Sequence, residues 1–249
     1  MRDGTGGPGA VRDTALLAAA FRAAESRRPR PRVIDPHAQL FLADGPGPPA
    51  ALRAGGEHVV ERTRIVDALL DTVPGTIVNL GAGYCTRPYR LDLAGRPVVE
   101  VDSPDVIATK ERVLAEYTPR GPVRRIGLDL RDHAALGAAL ATVEGPVVLL
   151  TEGVLPYLPT DAVAALGRVL ARPGAVWLTD VVSVASAGAM AAVAPGLTLY
   201  GLDSLAPFEG AGWTVTDYRL LPVMTTTRPG AGSRDVVDGV LTLRAAPRV

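Results

Sequence analysis

A chain of 249 residues that is 47% hydrophobic can bury a full core, and it reads most simply as one domain with room for an added cap. Its formal net charge is zero, so no global field steers nucleic acid or an anionic membrane towards it. A single cysteine, Cys85, excludes an intrachain disulfide and a multi-cysteine metal site, and fits a reducing cytoplasm.

The first ten residues are polar and glycine-rich, without the apolar run of a secretory signal, and are expected to be a disordered tail from Met1 to Ala10. Thr14 to Ala24 has helix composition, with Asp13 or Thr14 as N-cap. The basic, proline-broken run Glu25 to Arg32 reads as a solvated loop, and Asp35-Pro36-His37-Ala38 as a turn into a short helix. Gly45 to Gly56 is rich in glycine and proline and reads as a loop. His58 to Leu70 predicts a helix, with Val59, Val60, Thr63, Val66 and Leu70 at helical spacing. Arg62 and Arg64 lie partly off that face, which leaves at least one of them to meet an anion.

After Pro74-Gly75 the pattern alternates. Ile77–Leu80, Val98–Val101, Val123–Leu128, Val147–Leu150 and Val176–Asp180 read as strands, and Pro104–Tyr117, Ala134–Thr142 and Thr160–Ala171 as helices. Such alternation predicts βαβ units and a mainly parallel sheet. Trp213 to Tyr218 and Asp238 to Arg244 bring the strands to seven, as an antiparallel C-terminal hairpin. Between Asp180 and Asp203 there is no charge, yet Ser183, Ser186, Gly188, Pro195 and Gly196 argue against a membrane span and for a buried strand followed by a segment over a pocket. The expected division is a tail and helical cap over 1–58 and an α/β ligand-binding domain over 59–249, with a lid over 183–212.

The chemistry concentrates at the strand ends. Ile77-Val78-Asn79-Leu80 breaks into Gly81-Ala82-Gly83, a glycine turn at a strand's carboxyl end, where open α/β sheets place their ligands. Glycine accepts backbone angles closed to other residues and lets a ligand lie against the main chain. A dinucleotide fingerprint wants a third glycine where Thr86 stands, so that fingerprint is incomplete. The next strand ends in Asp102, placed as a carboxylate that accepts hydrogen bonds from ribose hydroxyls. A glycine turn and a ribose acid without the pyrophosphate fingerprint suit a nucleoside cofactor that has no phosphates, of which S-adenosylmethionine is the common one. Asp129-Leu130 ends the third strand with a pair suited to an adenine amino group and ring, and Glu152 ends the fourth. Each acid alone serves as readily for a helix cap; three at successive strand ends argue for a ligand edge.

The runs VNLGAGYCTRPYRLDL, VVEVDSPDVIATKERVL, GLDLRD and LLTEGVLPYL, with the N-terminal helix and Asp35-Pro36-His37-Ala38, resemble the leucine carboxyl methyltransferase-like family. These are class I S-adenosylmethionine-dependent O-methyltransferases, with bacterial members acting on polyketides and other natural products. The likeness spans roughly Thr14 to Leu170, and the C-terminal third follows the family in outline. It implies an α/β, Rossmann-like class I methyltransferase fold, S-adenosyl-L-methionine as cofactor, no metal, and a small-molecule acceptor. By the resemblance, Arg62 binds the methionine carboxylate, for which a forked guanidinium is suited. Gly81, Ala82 and Gly83 form the turn under the cofactor, Asp102 takes the ribose, Asp129 and Leu130 the adenine, and Glu152 the methionine amino group. Tyr157 falls where the family places a residue facing the substrate. The chain departs from the family at Tyr84-Cys85, where the usual pair is Leu-Asp.

A sulfonium methyl is already activated, so the task is to align oxygen, methyl and sulfur. A carboxylate acceptor needs no base, whereas a phenol or alcohol benefits from a histidine. Of His37, His58 and His133, His37 lies nearest the expected cap and is the first candidate; Cys85 is read as pocket lining. Met190, Leu197, Leu199, Tyr200, Leu205 and Phe208 argue for a hydrophobic acceptor, and read equally well as a helix packed on the sheet. The expected activity is O-methylation of a carboxylate or hydroxyl on a natural-product-like acceptor, with a peptide acceptor left open. The alternative is a methyltransferase-fold protein without transfer activity, acting as a binding module or recruited to another reaction. Thr86 disfavours a nicotinamide oxidoreductase, and zero net charge a nucleic-acid methyltransferase.

Overall fold

A computed structural model describes residues 8–42, 53–193, 198–222 and 236–246. Its strands are β1 (Thr76–Leu80), β2 (Val98–Asp102), β3 (Val123–Gly127), β4 (Val147–Thr151), β5 (Val176–Val181), β6 (Trp213–Leu220) and β7 (Gly239–Ala245). They form one sheet in the order β3-β2-β1-β4-β5-β7-β6. The first five run parallel, and β7 lies antiparallel between β5 and β6. The order reverses between β1 and β4, so the carboxyl ends of these two strands frame the crevice in which such sheets bind ligands. Every residue of β2, β4 and β5 is buried, as expected of apolar parallel strands covered on both faces.

The helices are α1 (Pro8–Ser26), α2 (Arg53–Leu70), α3 (Arg87–Arg90), α4 (Pro104–Val113), α5 (His133–Ala141), α6 (Thr160–Leu170), α7 (Val184–Val193) and α8 (Ala206–Glu209). Side chains alternate along each strand and divide the core. Ile77, Val148 and Leu178 pack against Ile65, Val66, Leu69 and Leu70 of α2. Val78, Leu149 and Trp177 pack on the other face with Leu166, Leu170, Phe208 and Trp213. A third cluster joins Ala19 and Ala23 of α1 to Phe41, Tyr84 and Tyr89, and so seats the N-terminal helix beside the glycine turn.

Several boundaries differ from the sequence expectation. Helix α1 begins at Pro8, so Asp13 and Thr14 lie inside it; proline suits the first helical position because its missing N–H would be unpaired there. Residues 1–7 of the expected tail, and 43–52 around the expected Gly45–Gly56 loop, lie outside the described residues. Helix α2 begins at Arg53 rather than His58 and runs through Gly55 and Gly56. A Cβ on Gly56 would meet the Phe21 ring at 2.7 Å, so helix packing outweighs the poor helix propensity of glycine. The boundary expected after residue 58 falls within this helix. Helix α4 stops at Val113, short of Tyr117, where Thr118-Pro119 turns the chain extended. The Glu25–Arg32 run leaves α1 as an exposed loop from Arg27 to Arg30, as expected, and is braced by Arg28 and Arg32, which both bond Glu25 and Glu57. In the expected lid, Phe208 is instead core, fully buried with its ring 5.4 Å from that of Trp177; Leu197 lies outside the described residues. Among the described residues no helix is long and apolar enough to cross a membrane, and no cluster of three or more His, Cys, Asp or Glu side chains could hold a metal ion.

Candidate functional site

The turn after β1 has Gly81 at φ +65° and Gly83 at φ +45°, both in the left-handed region. The amides of Gly81 and Ala82 donate to the Val101 carbonyl at 2.8 and 3.1 Å. Asp102 then ties β2 to the turn: Oδ2 accepts from Gly83 N at 2.7 Å, and Oδ1 from Ser103 N at 2.7 Å. A Cβ on Gly81 would stand 2.5 Å from Val154 Cγ2 and 3.7 Å from Leu130 Cδ1, so those side chains wall the turn. Gly81, Ala82, Gly83, Asp102 and Leu130 therefore meet. Asp129 is exposed and paired with Arg131 at 2.6 Å. The hydrogen bond from Arg131 outweighs partial burial and holds the Asp129 carboxyl below its usual range.

Behind the turn, charged side chains are buried together. Arg62 Nε donates to Glu152 Oε1 at 3.2 Å and Nη1 to Asp180 Oδ2 at 2.9 Å; Thr63 Oγ1 donates to the same Glu152 oxygen at 3.2 Å. Arg87 Nη1 lies 2.5 Å from Glu152 Oε2, and its Nε donates to Asp67 Oδ1 at 2.6 Å. Asp180 Oδ1 accepts from Gly153 N at 2.7 Å. Gly153 has φ +68°, and a Cβ there would sit 3.1 Å from Arg62 Nη2, so a bare backbone lets the guanidinium lie against it. Burial alone would raise the Glu152 pKa, but Arg87 and then Arg62 outweigh it and hold the carboxyl far below its usual range. Both arginines that the sequence offered to an anion have acidic partners here: Arg62 is held by Glu152 and Asp180, and Arg64 by Glu61. Asp180, Arg87 and Asp67 were not among the expected site residues. Asp180 carried a signal, since it closes an apolar strand run just as Asp102 and Glu152 follow theirs. Arg87 carried none, because its partners are remote in the chain.

Tyr157 follows β4 in a short 3-10 turn and is hydrogen-bonded to Thr14 of α1; burial pushes its phenol up. Ala15 Cβ lies 3.3 Å from where a Gly83 Cβ would be, so α1 spans the crevice from the glycine turn to Tyr157. His37 is elsewhere. Its ring packs 5.6 Å from Tyr89 and 5.2 Å from Tyr117, and the Tyr89 hydroxyl accepts from Arg125 at 2.8 Å. Arg87, which pairs with Glu152, and Tyr89, which packs on His37, are two residues apart, on roughly opposite faces of α3. The cause is local: Asp35 is drawn to Arg22 Nε at 2.9 Å, to Thr86 Oγ1 at 2.6 Å and to Ala38 N at 3.1 Å, which fixes the turn carrying His37. His58, by contrast, lies one helical turn before Arg62, with Nδ1 3.5 Å from the Pro222 carbonyl and 4.0 Å from Asp238 Oδ2. Burial, then the charge of Arg62, lowers its pKa. At the departure from the family pattern, Tyr84 stacks on Phe41 at 4.5 Å and Arg22 Nη2 donates to its carbonyl at 2.7 Å. Cys85 Sγ lies 3.5 Å from Arg87 Nη1.

Comparison with known proteins adds the following. The family model for leucine carboxyl methyltransferase matches residues 15–171. A relative from Mycobacterium sp. (strain KMS), named "Putative S-adenosyl-L-methionine-dependent methyltransferase", is 38% identical over 183 residues, covering 63% of this chain and 61% of the relative. The match thus spans about three fifths of the length of that relative. A relative of the same description from Mycolicibacterium smegmatis is 33% identical over 247 residues, covering 83% of each chain. Among solved structures, a duf574 family protein from Streptomyces avermitilis aligns with TM-score 0.58 at 16% identity, covering 84% of this chain and 95% of that one. The magnesium protoporphyrin IX methyltransferase of Synechocystis, solved with bound S-adenosylmethionine, aligns with TM-score 0.52 at 16% identity, covering 84% and 90%. At such identity these likenesses speak for the fold alone, a parallel sheet closed by an antiparallel hairpin.

Proposed function

The chain belongs to the leucine carboxyl methyltransferase family, and on that premise we propose that it is an S-adenosylmethionine-dependent methyltransferase of class I fold. The observation that carries this reading is the meeting, at the point where the strand order reverses, of a bare glycine turn, Asp102 and an ionised Glu152. The donor set fits the cofactor. Gly81, Ala82 and Gly83 are assigned as the turn under the cofactor; the glycines carry no side chain there, and Val154, Leu130 and Ala15 form apolar walls beside them. We assign Asp102 to the ribose hydroxyls and the exposed Asp129 to the adenine amino group. Glu152 suits an ammonium group, and Arg62 a carboxylate. Bound there, the cofactor would supply a methyl group already activated by its sulfonium.

The chain's own part is to bind, align and exclude water. Helix α1 crosses over the turn, and we assign Tyr157, whose side chain bonds Thr14 of α1, to the acceptor side of the site. We read the acceptor as a small molecule methylated on a carboxylate or hydroxyl oxygen. Calorimetric titration with S-adenosylmethionine, S-adenosylhomocysteine and NADH tests the cofactor. Binding of both sulfur nucleosides at roughly micromolar Kd, lost in Asp102→Ala, is expected; a folded protein that binds neither overturns the reading. Binding without transfer to any acceptor would favour a catalyst recruited to another reaction.

A further inference from the structure

Glu152 is gripped from two sides, and only Arg62 has an expected part in binding. Oε1 accepts from Arg62 and Thr63 of α2, while Oε2 faces Arg87 of α3 at 2.5 Å. Arg87 is itself held by Asp67, which Arg90 holds in turn through two bonds of 2.7 and 2.9 Å. The plane of the Glu152 carboxylate is therefore set by two helices rather than one.

Arg87 also keeps one nitrogen, Nη2, buried with no hydrogen-bond partner among the described residues. An unsatisfied buried donor needs an explanation, and this one belongs to the guanidinium that already reaches both Glu152 and Asp67. Arg87 leaves the glycine turn within the same segment, so it links the wall beneath the cofactor to the acid at its amino-acid end.

We infer that Arg87 is a positioning residue that orients Glu152 towards the ammonium of an α-amino-acid group, and so makes the site select sulfur nucleosides that carry this group over those that lack it. The inference rests on the proposed cofactor. It separates two ligands: S-adenosylhomocysteine, which carries the amino-acid group, and 5′-methylthioadenosine, which keeps the adenosine and sulfur without it.

Both are titrated calorimetrically into wild type, Arg87→Gln and Arg87→Lys. Arg87→Gln is expected to weaken S-adenosylhomocysteine about tenfold or more while 5′-methylthioadenosine stays within about twofold, since one charge-assisted contact to Glu152 is lost. Arg87→Lys keeps the charge but not the fork that reaches Glu152 and Asp67 together, so it recovers part of the loss. The methylthioadenosine affinity also reports that each variant is folded, which thermal unfolding checks independently. Unchanged S-adenosylhomocysteine binding, or equal loss for both ligands in a folded Arg87→Lys protein, overturns the inference. If wild type binds neither ligand, the cofactor reading itself has failed and the inference falls with it.

Discussion

Replacing Gly81 by alanine tests the geometry on which the proposed cofactor site depends. The residue sits at φ +65°, and holding a residue with a Cβ there costs roughly 1–2 kcal/mol. The new Cβ would stand 2.5 Å from Val154 Cγ2, well inside the contact distance of about 3.5–4.0 Å between carbons. Overpacking costs roughly 1–3 kcal/mol. Val154 is half-buried and its methyl can turn aside, which puts the contact near the lower end. The sum is about 2–3 kcal/mol, or a fall of about 4–6 °C in Tm for a chain of this size. Gly174→Ala is the control: φ is +74°, but nothing lies within 4 Å of its Cβ, so only the backbone cost of roughly 1–2 kcal/mol applies. Thermal unfolding followed by circular dichroism, with S-adenosylhomocysteine titration on each variant, separates the two effects. Gly81→Ala should lose more stability than Gly174→Ala, and it should weaken the ligand where Gly174→Ala does not. Val154→Ala in the Gly81→Ala background should return stability towards the control. Equal losses, with no relief from Val154→Ala, would refute the close approach of Val154 to the turn.

Lys110→Met removes a fully buried ammonium 2.6 Å from a fully buried Glu100. Arg125 still reaches Glu100 at 2.9 Å, so the loss should sit near 3 kcal/mol, the lower end of about 3–5 for breaking a buried pair. Urea unfolding checks it, and a loss under about 1 kcal/mol would mean that Arg125 carries Glu100 unaided. His58 has a folded pKa below the ordinary imidazole value of about 6.5, through burial first and the Arg62 charge second, with Asp180 and Asp238 pulling the other way. Below that pH the unfolded chain takes up a proton that the folded protein refuses, so stability present above about 6.5 falls as the pH drops towards the folded pKa. The Tm of His58→Gln should fall less than that of wild type between about pH 7 and 5, and parallel profiles would remove His58 from the account. Asp35→Asn weakens the grip of Arg22 and Thr86 on the cap turn, and should cost about 3 kcal/mol in urea unfolding, with faster tryptic cleavage within Arg27–Arg32. Burial would raise the Asp35 pKa, but Arg22 and Thr86 lower it overall, so wild type should lose this contribution as the pH falls through and below the ordinary carboxylate range, whereas Asp35→Asn should not.

The central parallel strands were legible in the sequence because β1, β4 and β5 are mainly apolar runs, and burial on both faces leaves little choice of residue, whereas β3 at the sheet edge reads Val-Arg-Arg-Ile-Gly and is only partly buried. The glycine turn and Asp102 were legible for a related reason: backbone angles and strand ends are local properties. Helix starts were less so, since α2 runs through Gly55 and Gly56 only because Phe21 packs on that spot. The surroundings of Glu152 were legible only in part, because Arg87 reaches it from another element, and Asp67 and Asp180 join it only through Arg87 and Arg62. His37 is a different case. Its place beside the cap suggested the crevice, but the pull of Asp35 on Arg22 and Thr86 turns that segment towards Tyr89 and Tyr117.

Ion pairing joins the cap to the crevice in one alternating series: Arg22, Asp35, Arg90, Asp67, Arg87, Glu152, Arg62, Asp180. Each inner member lies between two opposite charges, which is what keeps so many ionised groups tolerable away from water. The series is also balanced, with an acid for every arginine. A ligand that brought one unpaired charge would upset that balance, whereas the amino-acid end of the proposed cofactor brings a carboxylate and an ammonium together. Glu152 and Arg62, adjacent in the series, are the pair that such an end can address at once. The Glu152–Arg62 contact at 3.2 Å is longer than the Glu152–Arg87 contact at 2.5 Å. In the proposed complex, Arg87 would keep the closer hold on Glu152, and Arg62 would be the member of the pair that meets the carboxylate.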